Sequence, residues 1–324
     1  MPPQCGPASA KSQGTVEYIL SYAWDVHDCA DCGCRFTRHD EQIYELLHAT
    51  GAISYYSDYR KLARACQTLF QCGDLEGSRE RLRGEPKYRF VIDRVSAAPP
   101  GVHILEVGSS RGYLTSYFLL QGRTIVGVDI SRQAVDSARA LYGDHFCIAG
   151  DPAIERRGPY DIIYHVGMIG CVANPIGFTR QLLALLRPGR TLIFNAPNRD
   201  ALHLMGQLWL DTAPPPDVVT LFPPGFWRQQ LSDVADVVEE IEMVPHGQAL
   251  AIGLRRLFRH RWIEPQAWPM RADGKREHSW SQQKSLTWQL FERGISRTAQ
   301  GTGLATFAPQ RPTDFGLFVS MVRK

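Results

Sequence analysis

No run of about 18 consecutive apolar residues occurs in this 324-residue chain, so nothing in it reads as a membrane-spanning helix. The first ten residues, M-P-P-Q-C-G-P-A-S-A, lack the charged-then-apolar order of a secretory signal, and a cytoplasmic protein is the expectation. Excess charge of one sign is also scarce. Thirty-six Lys and Arg against 33 Asp and Glu leave +3, too little to attract nucleic acid by bulk charge. Eight cysteines are too few at this length for a disulfide scaffold. What is present is a globular balance, 44% hydrophobic and 21% charged, in a chain long enough for one large domain or a domain with attachments.

The most informative stretch runs from His103 to Gly127, H-I-L-E-V-G-S-S-R-G-Y-L-T-S-Y-F-L-L-Q-G-R-T-I-V-G, followed by V-D-I-S. Val102 to Val107 is apolar and β-prone apart from His103 and Glu106, as in a strand buried on both faces of a parallel sheet. Gly108 permits a sharp turn with close approach to a ligand. Ser109, Ser110 and Arg111 bring backbone N–H groups toward a helix starting near Gly112, and Asp129 ends the next strand, placed to accept from ribose hydroxyls. A dinucleotide site would want G-x-G-x-x-G, and the run Gly108-Ser-Ser-Arg-Gly112 lacks the second close glycine. Glu106 would repel a pyrophosphate, yet it could hold the cationic amino-acid end of a ligand, directly or through water. Those residues point to S-adenosylmethionine.

Pattern breaks divide the chain. Residues 1–50 are cysteine-rich, 51–98 read as a helical linker or cofactor cap, and A-A-P-P-G at Ala97 to Gly101 marks the boundary. A core over 99–246 alternates strand and helix, with helices predicted at Arg132 to Tyr142 and about Pro175 to Leu186. Further on, a helix is expected near Gly225 to Ala235 and a strand near Val237 to Val244. Residues 247–306 form an insertion read as a substrate lid, and 307–324 carry the final core strand, Phe315 to Val322. The fold class expected is α/β, a Rossmann-like seven-stranded, mostly parallel sheet with helices on both faces.

Over roughly residues 100 to 200 the chain resembles the class I S-adenosylmethionine-dependent methyltransferases. Their motif I, E/D-x-G-x-G-x-G, is matched by Glu106, Gly108 and Gly112, with Ser110 in place of the middle glycine. The resemblance puts the ribose-binding acid at Asp129, the adenine-flanking apolar residue at Ile130 and the acid that reads the adenine amino group at Asp151. Strand four becomes Tyr160 to Val166 and strand five Thr191 to Asn198. The N-terminal C-A-D-C-G-C, Cys29 to Cys34, resembles the branch with a zinc-binding segment, which includes sugar and natural-product methyltransferases. That likeness implies Tyr55 and Tyr59, near Tyr56, as residues closing the cofactor site. It also implies a structural zinc on Cys5, Cys29, Cys32 and Cys34, with His27 the other choice for fourth ligand. The chain departs from the branch where Gly170 and Cys171 replace an E-H pair and where Asp217 replaces a histidine.

The reaction implied is in-line methyl transfer to a small-molecule acceptor, a sugar or natural-product intermediate, at O, N or C. His165 is the candidate general base, since it ends strand four where open α/β sheets place ligands; contact with cofactor through its backbone alone is the competing role. His203 and Asp217 are further candidates. Trp262, Trp268, Trp280 and Trp288 in the insertion suit either a lid core or an aromatic pocket. Arg255, Arg256, Arg259, His260 and Arg261 suit a solvated helix face or a substrate anion. An RNA methyltransferase and a non-catalytic, cofactor-binding or partner-binding descendant are the alternatives. No membrane or nucleic-acid partner is expected, and the oligomeric state is left open.

Overall fold

A computed structural model describes residues 10–17, 23–44, 57–202, 208–210, 215, 217–243, 294 and 316–324. Three strands open it, β1 (Ala10–Glu17), β2 (Ala23–Cys29) and β3 (Arg35–Phe36), followed by a short helix α1 (Glu41–Tyr44). Helices α2 (Ser57–Gln71), α3 (Leu75–Arg83) and α4 (Pro86–Ser96) lead into the core. The core runs β4 (His103–Val107), α5 (Tyr113–Leu120), β5 (Thr124–Asp129), α6 (Arg132–Tyr142), β6 (Phe146–Ile148), α7 (Ala153–Arg156), β7 (Tyr160–His165), α8 (Pro175–Leu185) and β8 (Leu186–Pro197). It closes with β9 (Thr220–Leu221), α9 (Phe226–Gln230), β10 (Ala235–Met243) and β11 (Gly316–Arg323).

The main sheet has the order β10-β11-β8-β7-β4-β5-β6. The five strands from β6 to β8 are parallel, and β11 runs antiparallel to both β8 and β10. This is the seven-stranded, mostly parallel sheet expected, with the last strand reversed. Local signals explain the helix ends. The Ser131 hydroxyl accepts from the Ala134 N–H at α6's start, Gly143 stops it at φ +86°, and Asn174 caps α8 ahead of Pro175.

Strand parity assigns the two faces. Ile104, Ile125, Ile162, Tyr164, Ile193 and Phe318 pack with α4 and α5. Leu105, Val107, Val128, Ile163, Leu192, Phe194 and Val319 pack with α8 and α9. Both faces are apolar, as parallel strands require.

The described part of the cysteine-rich N-terminal region pairs with a strand from beyond the parallel core. It is an antiparallel sheet, β1-β2-β3, whose fourth strand is β9, from beyond the parallel core. The bridge between Asn198 and Phe222 ties β9 to the residue just past β8, so this sheet leans on the carboxyl end of the core. The helix expected at Gly225 to Ala235 is confined to Phe226–Gln230, and its following strand starts at Ala235. The lid, its four tryptophans and the Arg255 to Arg261 cluster lie outside the described residues apart from Gly294. Among the described residues no helix is long and apolar enough to cross a membrane.

Candidate active site

The strand order reverses between β4 and β7: the chain steps from β4 outward to β5 and β6, then returns to β7 on the other side. Such switch points open a crevice at the carboxyl ends of the strands. Here the floor of that crevice is the turn from β4 into α5. Gly108 (φ +75°), Ser110 (φ +48°) and Gly112 (φ +79°) all lie in the left-handed region. That is inexpensive for glycine and costs a non-glycine residue about 1 kcal/mol, which Ser110 offsets with local bonds. Its N–H donates to Asp129 Oδ2 at 2.7 Å, and the Tyr113 hydroxyl donates to its Oγ at 2.9 Å. Asp129 Oδ1 accepts from the Ser131 N–H at 2.8 Å. The Asp129 carboxylate thus locks the turn from the end of β5. It is half-buried at the carboxyl end of β5.

A family model described as a methyltransferase domain matches residues 79–234, which include this turn, Asp129 and the parallel core. Residues 79–234 are a methyltransferase domain. Curated relatives include the ubiquinone biosynthesis O-methyltransferase of Bordetella parapertussis, 27% identical over 117 residues, covering 34% of this chain and 48% of that protein. The protein of the same name from Vibrio parahaemolyticus is 26% identical over 140 residues, covering 39% and 57%. The chain therefore spans about half the length of the curated relatives it matches. Among solved structures, a SAM dependent methyltransferase from Archaeoglobus fulgidus aligns with a TM-score of 0.41 at 15% identity, covering 76% of this chain and 97% of its own.

The cofactor of this family is S-adenosylmethionine, and the methyltransferase domain has residues to fit it. Gly108 leaves the turn without a Cβ; one placed there would meet Met168 Sδ at 2.8 Å. Met168, which sequence reasoning missed, thus packs over the turn from the segment after β7. Ile130 is half-buried beside Asp129. Asp151, also half-buried, follows β6 and accepts from the Ala153 N–H at 2.8 Å through Oδ1, leaving its other oxygen for a donor. Ser109 is fully buried, and its Oγ has no hydrogen-bond partner among the described residues. Gly112 faces Phe146 and Tyr142, so its place in the motif is one of close packing. Tyr55, Tyr56, Cys5 and His203 lie outside the described residues, as does the side chain of Tyr59.

Glu106 sits on the α5 side of its strand. Its parity points it at α5, where it is 4% exposed and accepts a hydrogen bond from the Thr115 hydroxyl. Burial pushes its pKa up to about 8 despite that bond, which favours the uncharged acid at neutral pH. A folded-state pKa above the unfolded one means stability is present below about pH 4.5 and falls as pH rises toward 8. Glu106→Gln, isosteric with the protonated acid, is expected to remove that alkaline loss and to leave cofactor affinity within about threefold. Urea midpoints at pH 6 and 9, with cofactor titration, check both; a large affinity loss would put the carboxylate back in the groove.

His165, the candidate base, is enclosed as well. Its ring is fully buried, stacked 4.8 Å from Phe194 at 22° and edge-on to Phe178, and neither nitrogen has a hydrogen-bond partner among the described residues. It faces α8 and not the crevice, because its parity follows Ile163. Burial lowers its pKa to about 3, which holds it neutral but out of reach of an acceptor. For a histidine shifted down, stability is full above pH 6.5 and is lost as pH falls toward 3. His165→Phe is therefore expected to retain activity and to lose about 2 kcal/mol less stability than wild type between pH 6.5 and 5. Chemical denaturation at the two pH values measures this, and abolished turnover in the folded variant would restore the base.

The departures after β7 have a steric cause. A Cβ at Gly170 would lie 2.8 Å from Pro197 Cγ and 3.1 Å from Val218 Cγ1, while Val219 N–H donates to the Gly170 carbonyl at 2.8 Å. The strap carrying β9 fills the space a glutamate would need. Cys171 and Asp217 are both buried beneath it, and burial followed by the Asp217 charge raises the Cys171 thiol well above its ordinary value. Neither is exposed as a base. Cys29, Cys32 and Cys34 are buried at the β2–β3 turn, closed by the Gly33 N–H on the Cys29 carbonyl at 3.0 Å. Among the described residues no group of three or more His, Cys, Asp or Glu could hold a metal ion. Among the described residues these three cysteines therefore do not form a zinc site by themselves.

Proposed function

We propose that this chain transfers a methyl group from S-adenosylmethionine to a small-molecule acceptor, a sugar or natural-product intermediate. The observation that carries the reading is the left-handed turn 108–112, locked by Asp129 at the strand-order reversal of a methyltransferase domain. The relatives are named for O-methylation in ubiquinone biosynthesis, which favours an oxygen acceptor here. When bound, the cofactor supplies an electrophilic methyl on a sulfonium. Asp129, Asp151 and the turn's backbone orient it, and the strap over Gly170 excludes water from one side. With Glu106, His165, Cys171 and Asp217 all buried, the described residues contribute mainly positioning and desolvation. Release of S-adenosylhomocysteine in the presence of phenolic, sugar and polyketide-type acceptors tests the reading. A methylated small molecule is the expected product; methylation of RNA alone, or cofactor binding without turnover on any of these, would overturn it.

A further inference from the structure

Three charged side chains meet where the N-terminal sheet leans on the carboxyl end of β8. Arg35, 9% exposed, donates Nε and Nη2 to the two carboxylate oxygens of Asp28 at 2.7 and 2.8 Å, and Nη1 to the Leu208 carbonyl at 3.2 Å. That fork satisfies both members in the best geometry available to them. Arg199, two residues past the end of β8, reaches the same carboxylate only at 3.8 Å, beyond hydrogen-bond distance. Its Nε is buried with no hydrogen-bond partner among the described residues. Its backbone N–H is fixed to the Phe222 carbonyl at 2.9 Å, and its Nη1 would lie 3.6 Å from a Cβ at Gly33.

One carboxylate thus serves two guanidiniums. A guanidinium does not shed its proton, and a largely buried one without a full set of acceptors is costly unless an anion completes it. Asp28 and Arg35 would tie β2 to β3 without Arg199, so a fold role does not require the surplus charge. Arg199 follows the strand beside β7, at the flank of the crevice where the strand order reverses. Its side chain remains about a quarter exposed, 24%, although Nε itself is enclosed, so a ligand would reach the guanidinium from its exposed side.

We infer that Arg199 anchors a carboxylate on the acceptor, making the substrate a small organic acid. Among the described residues Arg199 shares the Asp28 carboxylate with Arg35, and the planar fork of one guanidinium matches a carboxylate. The inference rests on the methyl-transfer reading above.

Benzoate and its neutral isostere benzamide are the probes, titrated into the full chain saturated with S-adenosylhomocysteine. Wild type is expected to prefer benzoate by about tenfold or more, and Arg199→Gln to lose that preference while binding S-adenosylhomocysteine as before. Arg199→Lys, which keeps the charge without the fork, is expected to fall between, and it serves as the test if the glutamine variant does not fold. No preference in wild type, or an unchanged preference in the folded variants, overturns the anchor. If wild type binds no S-adenosylhomocysteine, the methyl-transfer reading fails instead, whatever benzoate does.

Discussion

Asp129→Ala is expected to weaken S-adenosylmethionine binding by about 100-fold, the largest affinity effect of any single side chain in the crevice. Hydrogen bonds to a charged acceptor contribute about 1.5 to 3 kcal/mol each, and the variant loses those to the ribose. It also frees the N–H groups of Ser110 and Ser131, which the carboxylate holds at 2.7 and 2.8 Å. Ser110 then keeps its left-handed φ with only the Tyr113 hydroxyl in support. Asp129→Asn should do nearly as badly. Two N–H donors face the two oxygens, and an amide offers an acceptor to only one of them while its NH2 opposes the other. Calorimetric titration of the folded variants measures the loss, and binding within about threefold of wild type would remove Asp129 from the site.

Gly112→Ala is expected to cost about 2 to 5 kcal/mol of stability. The backbone there has φ +79°, worth about 1 to 2 kcal/mol against any L side chain. The new methyl would also lie 2.6 Å from Phe146 Cζ and 3.2 Å from Tyr142 Cδ2, both in a buried cluster. Overpacking of that kind costs a further 1 to 3 kcal/mol, roughly. Phe146→Leu in the same chain should recover part of the second cost and none of the first, so a double-mutant cycle separates them. A fully additive cycle would mean that the ring is not the obstacle. Gly127 makes the same point from β5, since its Cβ would lie 2.7 Å from Phe146 Cδ1.

The turn and its distal acid were legible because β–α–β geometry sets their spacing: a strand, a left-handed turn and a helix must return the chain to a neighbouring strand end. The orientations of Glu106 and His165 were not. In a strand buried on both faces, apolar residues fall at every position, so the pattern carries no inside and outside. Parity turned Glu106 toward Thr115 and His165 toward Phe194, and desolvation did the rest. Gly170 stands where the resembling branch has an acid, and a Cβ there would meet Pro197 and Val218, contacts the sequence does not reveal. The strap responsible is held by β9, a two-residue strand paired with β3 from the far end of the chain, too short to leave a periodic signal. Arg199 was missed for a related reason: its significance comes from Asp28 and Arg35 on other strands. A charged residue just beyond a strand at the carboxyl edge of a parallel sheet is the one signal that would have singled it out.

We propose that the turn 108–112 and Asp129 form an S-adenosylmethionine site, and isothermal titration of the purified chain with S-adenosylmethionine, S-adenosylhomocysteine and NAD tests this. Binding of the first two in the micromolar range, with none of NAD, is the predicted result. Absence of binding by either S-adenosyl compound, or saturable binding of NAD in their place, would contradict it.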